Sequence, residues 1–284
     1  MTIDPATTLG AVALTVSDLD AQAAFYREAI GLREIRRGRD TVELGAPESD
    51  TALVTLVGRP EAPPRLRRTT GLFHLALLVP DRAELARSLQ RVTAAGHRFT
   101  GAADHLVSEA LYLDDPEGNG IELYRDRPRE EWSYDDGRLG MGTLPLDLEG
   151  VLASAPAGDP GKGMPAGTRI GHVHLQVASI PDAEAFYVDA LGFEATVRGY
   201  PGALFVSAGG YHHHLGLNTW AGARAPAPAP GSRGLRSFTI VLPDDAALAT
   251  MLAAVAVAGL EVGEDRGRAV VTDPSGNRAV LTTA

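Results

Sequence analysis

Two phrases recur in this chain at one fixed spacing, and that repeat limits the architecture more than any other feature. LGAVALTV at 9–16 leads to FYREAIGL at 25–32, and IGHVHLQV at 170–177 leads to FYVDALGF at 186–193, each pair displaced by 161 residues. A second pair interleaves with the first. GLFHLALLVPD (71–81) runs through an Ala/Leu-rich stretch to Gly96 and then to DPEGN (115–119). GLRSFTIVLPD (234–244) runs through a similar stretch to Gly259 and DPSGN (273–277). Self-similarity of this kind marks copies of one supersecondary unit. The order here is A–B–A′–B′, four units in all.

Each unit follows one plan. It opens on an alternating apolar run, as in Val12-Leu14-Val16 or Val173-Leu175-Val177, which has the period of a strand. An amphipathic helix comes next, with Ser17 or Ser179 near its start and Gly31, Gly96, Gly192 or Gly259 near its end. Short strands follow, such as Thr51–Leu56, Ala110–Leu113, Leu204–Val206 and Ala269–Val271, and DPEGN and DPSGN are turn chemistry between strands. The pattern predicts an α+β protein of four βαβββ modules in two domains. The first domain is expected at 1–125 (modules 9–58 and 71–125) and the second at 169–284 (modules 169–220 and 234–284). The Gly-, Pro- and acid-rich stretch 126–168 connects them, and Pro-rich connectors at 59–68 and 221–233 separate modules.

Composition excludes several chemistries. At 284 residues and 44% apolar content, about two ordinary domains are expected. The formal charge is −10, which lacks the basic footprint of a nucleic-acid binder. The absence of cysteine removes disulfides, thiolate zinc sites and iron–sulfur clusters. The sole lysine, Lys162, is followed by Gly163 where a phosphate-binding loop needs Ser or Thr. A GxGxxG loop fails at Pro145, and GxSxG is absent. MTIDPATT has no basic patch before an apolar run, and the apolar stretch Ala246–Leu260 is too short to span a bilayer. The expectation is a cytoplasmic protein with no membrane or nucleic-acid partner, and a homo-oligomer is compatible with the sequence.

What remains is histidine and carboxylate chemistry. The chain has eight histidines, three of them consecutive at His212-His213-His214. His74 sits on the opening strand of the second module, and His172 and His174 share one face of the strand opening the third. Glu122 lies in Gly-Ile-Glu-Leu-Tyr. Either its face looks inward, where a carboxylate needs a partner or a metal, or Ile121 and Leu123 face the core and Glu122 is solvated.

The four βαβββ units, the FYxxxLGF phrase and the DPxGNxIELY close of a unit together resemble the vicinal oxygen chelate superfamily. Its members include glyoxalase I, bleomycin-resistance proteins and type I extradiol dioxygenases. The resemblance spans nearly the whole chain. HLVSEALYL (105–113) and SAGGYHHHLGLNTW (207–220) are similar to stretches of four-module bacterial catechol 2,3-dioxygenases.

That resemblance implies ligands on the first and last strands of each module. The first module offers only Ala11 and Ala13 there, and the fourth only Ser237 and Val280. The second offers His74 and Glu122, and the third His172 or His174. The family's spacing of about nineteen residues before the Leu of LGF selects His172 and leaves His174 facing substrate. The implied set is His74, Glu122 and His172, with Fe(II) as the metal and Mn(II) as its substitute. This set needs modules two and three together, and so pairs one with four. By the same resemblance His213 in Hxx(A/G)L is an acid–base beside dioxygen, and Tyr112, ten residues before Glu122, hydrogen-bonds a substrate oxygen. His105 and His214 join the substrate pocket, though the stretch around His105 is shorter than in better-known relatives. The implied activity is extradiol cleavage of a catechol-type diol with O2. Two rival functions are a glyoxalase-like isomerase or epimerase, which would want a second carboxylate, and a non-catalytic binder of aromatic compounds, which would not need the metal set.

Overall fold

The computed structural model describes all residues, 1–284. The first module runs β1 (Thr8–Val16), α1 (Leu19–Phe25, continued by a π turn over Tyr26–Ile30), β2 (Arg33–Arg37), β3 (Thr41–Gly45) and β4 (Val54–Gly58). The second runs β5 (Gly71–Leu78), α2 (Arg82–Ala94), β6 (Gly101–Asp104), β7 (Ser108–Asp114) and β8 (Gly120–Asp126). The connecting stretch holds a short hairpin, β9 (Tyr134–Asp135) with β10 (Arg138–Leu139), and α3 (Leu148–Ala153). The third module runs β11 (Arg169–Gln176), α4 (Ile180–Glu184, continued by a π turn over Ala185–Ala190), β12 (Glu194–Val197), β13 (Ala203–Ser207) and β14 (Leu215–Asn218). The fourth runs β15 (Gly234–Leu242), α5 (Asp245–Val257), β16 (Gly263–Asp265), β17 (Arg268–Thr272) and β18 (Arg278–Thr283). All four modules are therefore βαβββ.

The strands form two eight-stranded sheets, ordered β16-β17-β18-β15-β1-β4-β3-β2 and β12-β13-β14-β11-β5-β8-β7-β6. Each sheet takes its strands from two modules, one with four and two with three, the grouping that the distribution of candidate ligands favoured. By compactness the chain falls into two units, one of Met1–Ala13, Pro63–Phe73 and Gly171–Ala284, the other of Leu14–Ala62 and His74–Ile170. Tyr187, Phe193 and Phe238 are fully buried in the first, and Tyr26, Leu44, Leu56, Leu75 and Tyr124 in the second. No helix is long and apolar enough to cross a membrane.

Helix starts follow capping chemistry. Asp81 accepts from the Glu84 N–H, Asp244 from Ala247 and Ser179 from Asp182, each tying down an amide that the first helical turn leaves open. At α1 the cap is Asp18, which accepts from Ala21. Ser17, expected near that helix start, instead donates both its amide and its hydroxyl to Glu117 Oε1, each at 2.8 Å.

The two repeated phrases meet in space. In each unit the tyrosine of FY reaches the aspartate of DPxGN: Tyr26 Oη donates to Asp115 Oδ2 over 3.2 Å, and Tyr187 Oη to Asp273 Oδ2 over 3.0 Å. Each aspartate also accepts from the amide and side-chain nitrogen of an asparagine, Asn119 or Asn277. Burial raises the pKa of both aspartates above the ordinary carboxylate value, and burial beside a carboxylate raises both tyrosines well above theirs. The triad locks the turn before the last strand to the helix of the neighbouring module, and so fixes the register of β8 and β18.

The connecting stretch is tied down as well. Arg91 on α2 donates to the carbonyls of Ile30, Pro160 and Gly163, and the Met164 amide donates to Gly31. Desolvation lowers this guanidinium to about 10. Gly31 is left-handed (φ 88°), and a Cβ there would come 2.6 Å from Arg91 Nε, so the close approach requires glycine.

Candidate metal centre and its surroundings

β5 and β8 are parallel neighbours, with Ala76 opposite Glu122, and β7 lies antiparallel on the other side of β8 with Tyr112 opposite Glu122. This register puts His74, Tyr112 and Glu122 on one face. His74 Nε2 and Glu122 Oε2 are 2.9 Å apart, and both side chains are buried. Of the two orientations open to Glu122, the structure takes the inward one without exposing the alternatives. Ile121 and Leu123 are buried too, because β8 is covered on both faces.

The ligand atoms of His74, Glu122 and His172 all lie within 4.8 Å of one another. Two imidazoles and one carboxylate suit a divalent transition metal and leave open positions for other oxygen ligands. A carboxylate this deeply buried is costly unless neutralised, and a cation among these three groups would meet that need. The donor chemistry therefore fits the metal that the sequence implied.

His105 and Tyr112 lie on the hairpin of β6 and β7. His105 Nδ1 is 2.7 Å from the Gly142 carbonyl, and its Nε2 is 2.6 Å from Tyr112 Oη. A carbonyl only accepts, so in the neutral ring Nδ1 carries the proton and Nε2 accepts from the tyrosine. Gly142 belongs to the connecting stretch, which is hydrogen-bonded to β6 by the bridge between Asp104 and Leu144. No sequence signal pointed to this carbonyl.

In a regular strand, His212 and His214 would face away from His213, and a bulge would break that alternation. The structure starts β14 only at Leu215, and residues 212–214 form a bent segment after Gly209 and Gly210, both with positive φ. All three rings are buried. The His213 ring lies 4.2 Å from that of His172 and 5.0 Å from Phe205, centroid to centroid. His212 Nδ1 and His213 Nδ1 are 2.7 Å apart, so one is protonated and the other accepts. His214 Nδ1 accepts from the Ala208 amide and faces the Ser207 hydroxyl at 3.1 Å. His174 is buried and lies over Gly216, where a Cβ would come 2.8 Å from the ring. That contact accounts for the small residue in the Hxx(A/G)L phrase. The pairing of His212 with His213 escaped the sequence reading, although their adjacency was its only available signal.

A second buried charge cluster lies on β7. Glu109 takes hydrogen bonds from Arg82 and Arg125, and Arg127 lies 3.5 Å away. Arg82 reaches Asp147 and Arg127 reaches Asp104, so the cluster ties α2, β7, β8 and the start of α3 together.

Four βαβββ modules in two curled sheets, with a His–His–Glu group on the inner strands of one, define a chelate-type α+β fold. The family model described as the Glyoxalase/Bleomycin resistance protein/Dioxygenase superfamily matches residues 8–123 and 169–281, and the chain belongs to that superfamily. A Bacillus subtilis (strain 168) protein named catechol-2,3-dioxygenase is 44% identical over 273 residues, 94% of each chain. Biphenyl-2,3-diol 1,2-dioxygenase 3 of Rhodococcus globerulus is 28% identical over 168 residues, covering 55% of this chain and 87% of its own. Among solved structures, glyoxalase I from Zea mays superposes with a TM-score of 0.60 at 17% identity, over 97% of this chain and 92% of its own, a likeness of fold.

Proposed function

We propose that this protein is an Fe(II)-dependent extradiol dioxygenase that cleaves a catechol-type diol with O2. The observation that carries the reading is the convergence of His74, Glu122 and His172 within 4.8 Å, with the His213 ring 4.2 Å from that of His172, centroid to centroid. The relative named catechol-2,3-dioxygenase supports the same class of reaction. His74, Glu122 and His172 would hold the metal, which would supply Lewis-acid activation of the diol and redox chemistry with dioxygen.

The protein's own groups then act as follows. Tyr112, whose proton is engaged by His105, presents oxygen lone pairs that accept from a diol hydroxyl and orient the ring. His213 takes a proton from the diol and returns it to the ring-opened product, with His212 holding its tautomer. Both oxygen atoms of O2 enter the product, so no external reductant is consumed. His174 lines the substrate side of the site, and His214 supports the bend that carries His213.

The test is anaerobic reconstitution with Fe(II), addition of catechol, and then air. A yellow ring-fission product formed with uptake of one O2 per diol is expected. Iron-loaded protein that consumes no O2 with any catechol, but isomerises a hemithioacetal when loaded with Zn²⁺ or Ni²⁺, would overturn the reading in favour of a glyoxalase-type reaction.

A further inference from the structure

The π turn that ends α1 packs on α2, and residues 160–164 of the connecting stretch are hydrogen-bonded to both. Between them lies a cleft of about 660 Å³, within the size range of sites for small organic ligands. It is wholly inside the unit of Leu14–Ala62 and His74–Ile170, and none of its lining belongs to the candidate metal centre. Part of its wall is apolar. Ala24, Phe25, Ala94 and Ala95 line it, and the Phe25 and His97 rings meet edge to face at 4.8 Å between centroids.

The rest of the wall is cationic. Arg27, Arg91 and Lys162 line the cleft against one carboxylate, that of Glu28, in a chain whose formal charge is −10. Arg27 is shared between Glu28 and Glu34. Arg91 is buried and has no such partner. Its nitrogens meet the carbonyls of Ile30, Pro160 and Gly163 and the Ser88 hydroxyl, while Glu84, which acts on it through space, is paired with Arg87. Carbonyl dipoles satisfy the hydrogen bonds of a guanidinium but supply no opposite charge. Lys162, the sole lysine of the chain, is exposed at the cleft and pairs with no carboxylate.

The internal repeat shows that the module folds without these groups. The offsets that match Gly31 to Gly192 and Gly96 to Gly259 put Val188 at the position of Arg27, Ala254 at that of Arg91 and Leu260 at that of His97. The same helices of the other copy thus carry apolar residues where these carry two cations and an imidazole.

We propose that this cleft binds a small organic monocarboxylate with a flat apolar body, its charge drawn to Lys162 and Arg91 and its body laid against Phe25 and the alanines of α1 and α2. An inorganic anion would leave the apolar wall uncovered, and a neutral aromatic would leave the charge unmet. The site is separate from the metal centre and does not rest on the dioxygenase reading.

Lys162 supplies the test, because no other lysine competes with it. An amine-selective acylating reagent applied to the full-length protein should modify Lys162 and the α-amine of Met1, and peptide mass spectrometry reads the rate at each. Benzoate should protect Lys162 at concentrations about tenfold below those needed for benzamide or acetate, the value of one charge-assisted hydrogen bond or of one covered apolar ring face. Met1 should stay unprotected. Ala94→Trp, a change at an exposed position that fills the cleft, should abolish the protection. Equal protection by benzoate and benzamide would overturn the role of the charge, and equal protection by acetate that of the apolar body. Protection that extends to Met1, or that survives in Ala94→Trp, would overturn the site itself.

Discussion

Tyr112 donates its hydroxyl proton to His105 across 2.6 Å, because the other nitrogen of His105 is committed to the Gly142 carbonyl. The tyrosine oxygen is thereby left as an acceptor, facing the same side of the sheet as His74 and Glu122. Tyr112→Phe removes the acceptor, and kcat/KM for catechol should fall by about 2–10-fold, the value of one hydrogen bond between neutral groups. His105→Phe should produce a smaller loss and shift the pH–rate profile, since Tyr112 would then be free to donate. Profiles of the same shape in wild type and His105→Phe would argue against this orientation of the pair.

Glu122→Ala should abolish tight iron binding while the chain still folds, because it removes a buried negative charge together with a ligand. Metal analysis after anaerobic dialysis, with circular dichroism on the same sample, reads both effects. Full iron occupancy in this variant would show that Glu122 is not a ligand.

His213→Phe should retain Fe(II) and lower kcat and kcat/KM together, by about 10²–10⁴-fold for a lost acid–base. The contact between the Nδ1 atoms makes a second demand. His212→Phe should also slow turnover and displace the acidic limb of the pH profile, because His213 loses the group that sets its tautomer. Wild-type kinetics in His212→Phe would mean that His213 works without that partner.

Glu109→Gln should destabilise the protein by about 3–5 kcal/mol, since arginines packed around the carboxylate would lose their counter-charge. Urea unfolding measures this directly. A change near zero would assign the cluster to the surface in energetic terms, despite the burial of Glu109.

The two buried aspartates set a pH dependence whose sign is fixed. Their folded pKa values are raised by burial above the unfolded value of about 3.9. Folding therefore takes up protons, and their contribution to stability grows as pH falls through the folded pKa, becoming complete below the unfolded one. Asp115→Asn cannot titrate, so the stability of wild type relative to the variant should rise as pH falls from 7 to 4. A wild type that loses stability relative to the variant on acidification would contradict the raised pKa.

The chain's modular plan was legible in the sequence because it is written in local periodicity. Strands such as β1 and β11 alternate with period two, and glycines such as Gly31 and Gly192 stand where a helix must end in a left-handed residue. His74, Glu122 and His172 became candidates through the family resemblance, which said which strand positions to compare across the four copies. Tertiary structure alone decided that these three groups converge within 4.8 Å, since their separation along the chain says nothing of distance until the strands pair. It also decided that Tyr26 reaches Asp115, although both lie in phrases recognised as repeats. It decided as well that His212–His214 lie in a bend, since Gly209 and Gly210 turn the backbone before β14 begins. The Gly142 carbonyl that orients His105 left no trace at all in the sequence, because every residue carries that same backbone group and only the fold selects which one meets the ring.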